Sequence, residues 1–391
     1  MGQSLIEISQ TLKNSDKKVQ LIYAFNGMGK TRLSREFKEL IAPKNVEVQE
    51  GNEESKIKVL YYNAFTEDLF YWDNDLDNDV DRKLKIQPNG YTYWILQEQG
   101  QEPNITTHFQ RYTNDKLTPR FNEQHTITDS NNNEVTIPAY SEVRFSFERG
   151  DDSGSDYVKI SKGEESCFIW SVFYSLLEQT INVLNVAEEG ERETDQFNDL
   201  EYVFIDDPVS SLDDNHLIEL AVNISELIKS SKFEISNLKF IITTHNPLFY
   251  NVLYNELGIK EGNILSKYED GTFELIPKKG DSNKNFSYHL FLKQTIQEAI
   301  DSNTIQKYHF TLLRNLYEKT ASFLGYPRWS ELLPDDKQTY FNRVIQFTSH
   351  STLSNEVVAD PTEPEKQTVK FLLDYLTTNY NYWKEAQNVT V

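Results

Sequence analysis

The chain has 391 residues, of which 38% are hydrophobic, 13% aromatic and 26% charged, with a net charge of −22. This length and composition predict roughly two or three packed domains and exclude a largely disordered or fibrous chain. The single cysteine, Cys167, excludes a disulfide framework and a cysteine-based zinc site. We expect a cytoplasmic protein without a membrane segment, because no run approaches ~18 continuous apolar residues and the polar start MGQSLIEISQTLK lacks the features of a secretory signal.

The net charge is unevenly distributed. From Lys278 onward, 13 basic residues balance 13 acidic residues, so the whole net charge of −22 arises before that point. Because an acidic surface repels phosphates, we expect any nucleic acid to meet the C-terminal third of the chain. A short, locally bound nucleic acid is favoured over a long duplex.

Apolar runs and helical patterns alternate over the first 280 residues, as is typical of an α/β domain. Four runs predict buried strands: Val19–Tyr23, Lys58–Tyr62, Tyr202–Ile205 and Lys239–Thr243. Residues 104–148 instead show the period-two alternation of half-buried strands. The pattern predicts an α/β domain over residues 1–277, with a β-rich lobe inserted at about residues 45–150.

The first predicted strand leads directly into a phosphate-binding loop. Its sequence, Ala24-Phe25-Asn26-Gly27-Met28-Gly29-Lys30-Thr31, matches G-x-x-x-x-G-K-[ST] except that Ala24 replaces the first glycine. Backbone N–H groups and the positive end of the following helix would face one anion here. We expect Asn26, Gly27 and Gly29 to surround the phosphates, Lys30 to reach the β- and γ-phosphates, and Thr31 to hold Mg²⁺. The sequence therefore predicts a site for ATP or GTP with Mg²⁺.

Four further motifs are present. Ser161-Lys162-Gly163-Glu164 precedes a strongly apolar helix, and the strand Tyr202–Asp207 ends in two acids. The run Pro208-Val209-Ser210-Ser211-Leu212-Asp213 follows, and a later strand ends at His245. Each has a simpler explanation when taken singly: paired acids commonly end a solvated strand, and a serine before a helix commonly caps it. Their joint order after a phosphate loop is what favours a functional interpretation.

This order resembles the ABC ATPase superfamily over about residues 15–277. The resemblance implies that Asp206 holds Mg²⁺ through water, that Asp207 polarises the attacking water, and that His245 senses the γ-phosphate. It also implies that Ser161 and Gly163 bind the γ-phosphate held by another subunit, with Asp213 in the D-loop. The expected assembly is a head-to-tail homodimer or higher homo-oligomer. A glutamine loop is not evident, and Asn63 is its best substitute.

After residue 280 the pattern changes to amphipathic helices. They are predicted at His289–Ile300, Gln306–Leu324, Lys337–Phe347 and Lys366–Trp383. Within the second helix, Arg314 and Glu318 are four residues apart and so share a face. His350, flanked by serines, follows the third helix.

Arginine, glutamate and histidine are the groups that metal-independent RNA cleavage requires. A base takes the proton of the ribose 2′-OH, an acid protonates the leaving 5′-oxygen, and a cation stabilises the phosphorane. We assign proton transfer to His350 and Glu318, leaving open which is the base, and charge stabilisation to Arg314. On physical grounds alone, Arg314 and Glu318 could simply form a surface ion pair, and His350 could simply cap the end of a helix.

The set Arg314-x-x-x-Glu318 with His350, behind a short ABC-type domain, resembles the PrrC-type anticodon nucleases along essentially the whole chain. The resemblance includes the run Tyr61–Asp73, for which we find no independent chemical explanation, and the segments Ser161–Ser166 and Ser349–Glu356. It implies an α/β ABC-type ATPase domain followed by a mainly α-helical, HEPN-like nuclease domain over residues 278–391. It also implies that Arg314, Glu318 and His350 are the nuclease residues, acting without a metal.

The same resemblance implies a biological setting. Members of that family cut tRNA in the anticodon loop, lysine tRNA in the best-known case, during defence against phage. They are held silent by a type I restriction-modification complex, and nucleotide occupancy controls their activation. It further directs attention to Lys278–Lys284, with Lys279, Asp281, Ser282, Asn283 and Lys284 as candidate substrate contacts. The same segment would also serve as a plain interdomain linker.

Some assignments stay open at the level of sequence. Arg343 lies seven residues before His350, a spacing found in HEPN nucleases, and is a secondary candidate for substrate contact. His289, His309 and Tyr317 fit either substrate contacts or core positions. Two alternative functions are a DNA-repair ATPase of the SMC/RecF kind, disfavoured by the missing coiled-coil arms, and an OLD-type metal-dependent nuclease, disfavoured by the lack of an acidic metal cluster after His245.

Overall fold

A six-stranded sheet forms the centre of the N-terminal part of the computed structural model. Its strands are β1 (Val19–Tyr23), β2 (Val59–Tyr62), β10 (Tyr202–Asp206), β11 (Lys239–Thr244), β12 (Glu261–Lys267) and β13 (Phe273–Lys279), in the order β13-β12-β1-β11-β10-β2. All neighbours pair in parallel except β12 and β13. The four predicted strands are confirmed. Strand β11 lies between β1, which leads into the phosphate loop, and β10, which ends in the two acids. This order fits the predicted α/β P-loop ATPase fold.

The structure describes most of the chain. The described residues are 2–43, 57–63, 66, 68–75, 81–128, 132–147, 157–208, 212, 214–268, 270–279, 288–348 and 361–382. They belong to two compact units, Met1–Gly280 and Asp281–Val391, which divide three residues after the predicted 277/278 boundary.

Helices cover the central sheet. They are α1 (Leu5–Lys13), α2 (Lys30–Ile41), α5 (Lys162–Leu184), α6 (Asp214–Ser230), α7 (Phe233–Ser236) and α8 (Pro247–Glu256). Helix α1 was not predicted from the sequence, although Ser4 and Glu7 form a capping box at its start. Ile8 of α1 and Phe37 of α2 are fully buried in one apolar cluster with Phe204 of β10. This packing fixes the helix that follows the phosphate loop against the strand that carries the two acids.

A second, smaller sheet lies between β2 and α5 in the chain. It contains β3 (Phe70–Asp73), β4 (Lys83–Ile86), β5 (Leu117–Phe121), β8 (Glu142–Phe147) and β9 (Tyr157–Val158). Strands β6 (His125–Thr128) and β7 (Glu134–Ile137) form a separate hairpin. The helix α3 (Gly90–Tyr93) continues into a π-helical turn at Trp94–Glu98.

The prediction of β-structure from residue 104 was wrong at its start. Residues Glu102–Arg111 form the helix α4, with Pro103 in its first turn. Ile105 and Phe109 are fully buried and lie four residues apart, which places them on one helical face. A proline at a helix start and an i, i+4 apolar pair were the signals that should have favoured a helix.

Among the described residues, one helix is long and apolar enough to cross a membrane. It is α5, and 83% of its most apolar 18-residue window is buried inside the protein. Aromatic side chains of the second sheet and its neighbours surround it: Phe168 of α5 packs edge-on against Phe145, with ring centroids 5.2 Å apart. This helix is therefore a core helix.

The C-terminal unit is mainly helical, as predicted. Its helices are α9 (Tyr288–Asp301), α10 (Lys307–Leu324), α11 (Lys337–Thr348) and α12 (Glu363–Asn379), with a 3₁₀ turn at Trp329–Leu332. Leu313 and Leu316 of α10 pack with Leu372 and Leu376 of α12 in one buried cluster. The hydroxyl of Tyr317 donates to the carbonyl of Leu372 at 2.9 Å, so Tyr317 is a core residue. The HEPN-like classification of this unit stays a prediction.

Several predicted site residues lie outside the described part of the chain: Asp213, Asp281, Ser282, Asn283, Lys284 and His350. For Lys279 and Arg343 the structure describes the backbone, in β13 and α11, but not the side chain. Lys278 is buried in β13, with its ammonium 5.1 Å from the ring centre of Tyr254. Lys278 is thus part of the central sheet, not of a flexible substrate-reading segment.

The packing predicts unequal costs for two substitutions in α10. Leu313→Ala removes a fully buried side chain and is expected to destabilise the helical unit by about 2–5 kcal/mol, because a cavity remains. Phe323→Ala, at a side chain that is 89% exposed, is the matched control and should change stability by less than about 0.5 kcal/mol. Urea denaturation followed by circular dichroism measures both. Equal effects of the two substitutions would contradict the described core.

Candidate nucleotide-binding and nuclease sites

The loop between β1 and α2 has the backbone of a phosphate-binding loop. Gly27 and Gly29 have φ of 82° and 93°, in the left-handed region that favours glycine. Ala24 is not among the described residues with positive φ, which explains why alanine is accepted where the motif usually has glycine. Its N–H donates to the carbonyl of Thr244 at 2.9 Å, so the loop is attached to the end of β11. No described atom lies within 4 Å of where a Cβ of Gly27 would be, so this part of the loop is open.

Lys30 is buried at the first position of α2. Its ammonium donates to the carbonyl of Ala24 and to Oδ1 of Asn26, both at 3.2 Å, and lies 3.5 Å from Oδ2 of Asp207. A buried cation requires such acceptors. A phosphate arriving in the loop would offer the same ammonium a stronger, doubly charged acceptor.

The two acids that end β10 have different partners. Asp206 accepts hydrogen bonds from the hydroxyls of Thr31 at 2.6 Å and Thr243 at 2.5 Å. Asp207 has a left-handed backbone, with φ of 54°, and both of its carboxylate oxygens lie 2.6 Å from Nδ1 of His245. The change of backbone direction turns the second carboxylate towards Lys30 and His245 and away from Thr31.

Burial and charge move the pKa values of these acids in opposite directions. Burial raises the pKa of Asp206 above its ordinary value, and the two hydroxyl hydrogen bonds only partly oppose it. Burial would also raise the pKa of Asp207, but the hydrogen bond from His245 and the charge of Lys30 together lower it below its ordinary value. Within the described residues Asp206 forms no ion pair, and the nearby charge of Lys30 does not outweigh its burial. A divalent cation between Asp206 and Thr31 would supply a positive partner. These residues fit Mg²⁺ bound with a nucleotide.

Asn63 follows β2 and is fully buried. Its amide N–H donates to the hydroxyl of Tyr61 at 2.6 Å, and the same hydroxyl lies 2.8 Å from Oγ of Ser34 in α2. The side chain of Asn63 also accepts from the N–H of Thr66 at 3.2 Å. These contacts connect the end of β2 to the helix after the phosphate loop. A role for Asn63 in sensing the nucleotide stays a prediction.

The predicted signature segment forms the start of α5. The hydroxyl of Ser161 accepts the N–H of Glu164, and the carboxylate of Glu164 accepts the N–H of Ser161 at 2.7 Å, which is a capping box. Gly163 lies in the first turn of this helix. Ser161 therefore caps the helix, as the simpler explanation of this motif expects. A helix start of this kind also directs its first-turn N–H groups to where an anion could bind.

Two residues that the sequence analysis did not single out support this segment. The indole N–H of Trp72, in β3, donates to Oε2 of the buried Glu165 at 2.9 Å. Oε1 of the same carboxylate lies 2.7 Å from the ammonium of Lys162. Trp72 belongs to the Tyr61–Asp73 run, so part of that run has a physical explanation: it attaches the second sheet to the first turn of α5. The only sequence signal for this contact was the run Tyr61–Asp73, which had no chemical explanation of its own.

In the helical unit, Arg314 and Glu318 form an ion pair on α10. Nε of Arg314 donates to Oε1 of Glu318 at 2.8 Å, and the two side chains are 33% and 40% exposed. The guanidinium also lies over the ring of Trp329, 6.0 Å from its centre. The structure brings these two predicted nuclease residues together, and α11 ends at Thr348, two residues before His350.

Two other histidines of this unit are explained by their surroundings. His309 is buried, and its Nδ1 accepts the N–H of Gln306 at the start of α10. His289 packs edge-on against Tyr382, with ring centroids 6.2 Å apart, and burial lowers its pKa below the ordinary value. His309 is therefore a core residue, as is Tyr317.

The chain is similar to a known protein over its whole length. No protein-family profile matches it. A protein of Escherichia coli described as "Anticodon nuclease" is 60% identical over 412 aligned positions, which cover 99% of each chain. The chain belongs to the anticodon nuclease family. The resemblance to PrrC-type anticodon nucleases is thereby confirmed.

Similarity to solved structures is far weaker. An SMC head bound to the C-winged helix domain of ScpA covers 68% of this chain and 91% of its own, at 12% identity and a TM-score of 0.34. The SMC head domain from Thermotoga maritima covers 68% and 92%, at 13% identity and a TM-score of 0.28. Similarities this weak assign neither a fold nor a function to this member of the anticodon nuclease family.

The position of Lys30 predicts a large loss of nucleotide affinity in Lys30→Ala. Removal of a buried ammonium that bonds phosphate oxygens is expected to weaken binding roughly 10- to 100-fold, since charged hydrogen bonds contribute about 1.5–3 kcal/mol. Lys38→Ala is the control, because Lys38 lies exposed on the same helix. Titration with a fluorescent nucleoside triphosphate measures both. An unchanged Kd in Lys30→Ala would exclude this loop as the nucleotide site.

The opposite pKa shifts predict opposite stability changes at the neighbouring acids. At pH 7 Asp206→Asn should raise the melting temperature of the nucleotide-free protein, because the raised pKa of Asp206 means that its ionised form costs stability. Asp207→Asn should lower it, because the lowered pKa of Asp207 contributes stability that is present above its unfolded pKa and lost as the pH falls.

Thermal denaturation at pH 7 and at about pH 4 tests both variants. The difference for Asp206→Asn should shrink at about pH 4, because a carboxyl with a raised pKa takes up its proton first, whereas the difference for Asp207→Asn should largely persist there and fade only at lower pH. Asparagine tolerates the left-handed backbone of residue 207, so the comparison isolates the charge. Melting shifts of the same sign for the two variants at pH 7 would contradict the described partners.

Proposed function

We propose that this protein is a nucleotide-gated endoribonuclease that cuts tRNA in the anticodon loop. The observation that carries the proposal is its 60% identity, over 99% of both chains, to a protein described as an anticodon nuclease. The ion pair of Arg314 and Glu318 on the half-exposed face of α10 supplies groups that suit the chemistry. The SMC/RecF-like repair ATPase is not favoured beside a relative of this identity.

The proposed reaction is a transfer within the RNA backbone. The ribose 2′-oxygen attacks the adjacent phosphorus and gives up its proton to a base, and the 5′-oxygen leaves as it takes a proton from an acid. The products are a 2′,3′-cyclic phosphate and a 5′-OH end. His350 and Glu318 transfer the protons, Arg314 stabilises the charge on the phosphorane, and no metal takes part.

ATP or GTP with Mg²⁺ is the proposed regulator. Lys30, with Asn26, Gly27 and Gly29, would hold the phosphates, and Thr31 and Asp206 would hold Mg²⁺. The γ-phosphate of the bound nucleotide would also be bound by the first turn of α5 in a second subunit, through Ser161 and Gly163. Nucleotide binding would thus join two heads in a homodimer or higher homo-oligomer, with Asp207, Asp213 and His245 completing each site.

The biological setting is also a proposal, based on the family resemblance. The substrate would be lysine tRNA, the location cytoplasmic, and the role defence against phage. A type I restriction-modification complex would keep the enzyme silent. Lys279, Asp281, Ser282, Asn283, Lys284 and Arg343 are the proposed substrate contacts.

Cleavage of total tRNA in excess EDTA tests the nuclease assignment. After activation and removal of free Mg²⁺, the wild type is expected to cut tRNA and leave 2′,3′-cyclic phosphate ends, whereas Arg314→Ala and His350→Ala should lose at least about 10²-fold in rate. Lys319→Ala, which removes an exposed cation from the same helix, is the control. Activity that requires Mg²⁺ for the cutting step, or that persists in His350→Ala, would overturn the assignment.

A further inference from the structure

A cleft of about 460 Å³ opens beside Glu318 in the helical unit. Its wall runs from the end of α10 through the following turn to α11. Its lining includes Glu318, Tyr326, Arg328, Trp329 and Phe341. The cleft is therefore adjacent to one member of the proposed catalytic pair and combines aromatic rings with a cation.

The aromatic wall is built by packing within the unit. The rings of Trp329 and Phe341 are stacked, with centroids 5.3 Å apart and planes 22° from parallel. Tyr317, buried beneath, meets Trp329 edge-on at 6.2 Å. Since Trp329 is held by these neighbours and by the guanidinium of Arg314, its position is fixed before any ligand arrives.

Tyr326 and Arg328 are an exposed aromatic ring and an exposed cation of the cleft. Tyr326 is 41% exposed and contacts Tyr380 edge-on, with ring centroids 6.4 Å apart. Arg328 is exposed, and within the described part of the chain its guanidinium has neither an ion-pair nor a hydrogen-bond partner. An exposed ring and an uncommitted cation two residues apart offer one surface for a planar group and one for an anion.

Unstacked nucleotides present that pair of groups. Proteins bind single-stranded RNA by placing bases on aromatic side chains and phosphates on arginine, whereas a duplex keeps its bases stacked and paired. We infer that this cleft binds one unstacked nucleotide next to the scissile phosphate, with its base on the exposed ring of Tyr326 and its phosphate on Arg328. The inference rests on the proposed nuclease function and adds a subsite to it.

This subsite gives a physical reason for acting on loops. A base in an RNA helix would have to leave its stack before reaching Tyr326, which costs a few kcal/mol, whereas a loop base is already available. The cleft then places the neighbouring phosphate beside Glu318 and Arg314. The cleft would therefore favour RNA loops over RNA helices whatever the base sequence of the loop.

Binding of a non-cleavable RNA tests the inference directly. The probe is a fluorescent 17-nucleotide anticodon stem-loop whose loop riboses are 2′-O-methylated, so that no 2′-OH can attack. Tyr326→Ala is expected to raise the Kd of the full-length protein about tenfold, whereas Tyr326→Phe should stay near the wild type, because stacking needs the ring and not the hydroxyl. A fully paired RNA of equal length should bind Tyr326→Ala and the wild type equally.

The cation is tested by a second, independent substitution. Arg328→Ala should raise the Kd for the stem-loop about tenfold, whereas Lys370→Ala, which removes an exposed charge from α12, should not. In single-turnover cleavage the loss should appear as a higher half-saturating concentration of tRNA, with the maximal rate changed much less.

The outcomes separate the subsite from the nuclease assignment. A wild type that neither binds nor cuts tRNA would overturn the proposed function. A wild type that cuts, with Tyr326→Ala and Arg328→Ala both retaining wild-type affinity, would overturn the subsite alone. Equal increases of the Kd in Arg328→Ala and Lys370→Ala, with an unchanged Kd in Tyr326→Ala, would mean that RNA is attracted only by general positive charge. That result would also overturn the subsite.

Discussion

The separation of two adjacent carboxylates at the end of β10 is the constraint on which the N-terminal unit depends. Asp206 continues the strand, whereas Asp207 takes a left-handed backbone that costs roughly 1–2 kcal/mol for most residues and less for aspartate. Because of that turn, one acid bonds Thr31 and the other bonds His245 and approaches Lys30. The loops after β1, β10 and β11 are thereby joined before any nucleotide binds. The same cluster contains one acid held ionised by its partners and one whose burial favours the neutral form.

The sequence predicted the parts of this arrangement that depend on pattern. The strands β1, β2, β10 and β11 are short apolar runs, and the glycines of the phosphate loop lie where their left-handed φ is required. The helices of the C-terminal unit were predicted because their apolar faces repeat with helical spacing. The boundaries differ most for α12, which begins at Glu363, three residues before the predicted start at Lys366 and beside a capping box at Thr362.

Other features had no signal in a single sequence, or a misleading one. No pattern marks the left-handed turn at Asp207, since aspartate is compatible with several backbone conformations. The helix α4 was mistaken for a strand because a short apolar repeat in a β-rich neighbourhood suits both. The bond between Trp72 and Glu165 joins residues 93 positions apart, and only the fold reveals it. His350 lies outside the described residues, so its place beside Arg314 and Glu318 stays a prediction.

The central proposal is that occupancy of the phosphate loop in the first unit controls RNA cleavage by the second. Single-turnover cleavage of tRNA, with and without a non-hydrolysable nucleoside triphosphate, tests this claim most directly when the wild type is compared with Lys30→Ala. The account predicts that the nucleotide changes the wild-type rate at least tenfold and leaves the rate of Lys30→Ala unchanged. A Lys30→Ala protein that responds to the nucleotide as the wild type does would contradict it.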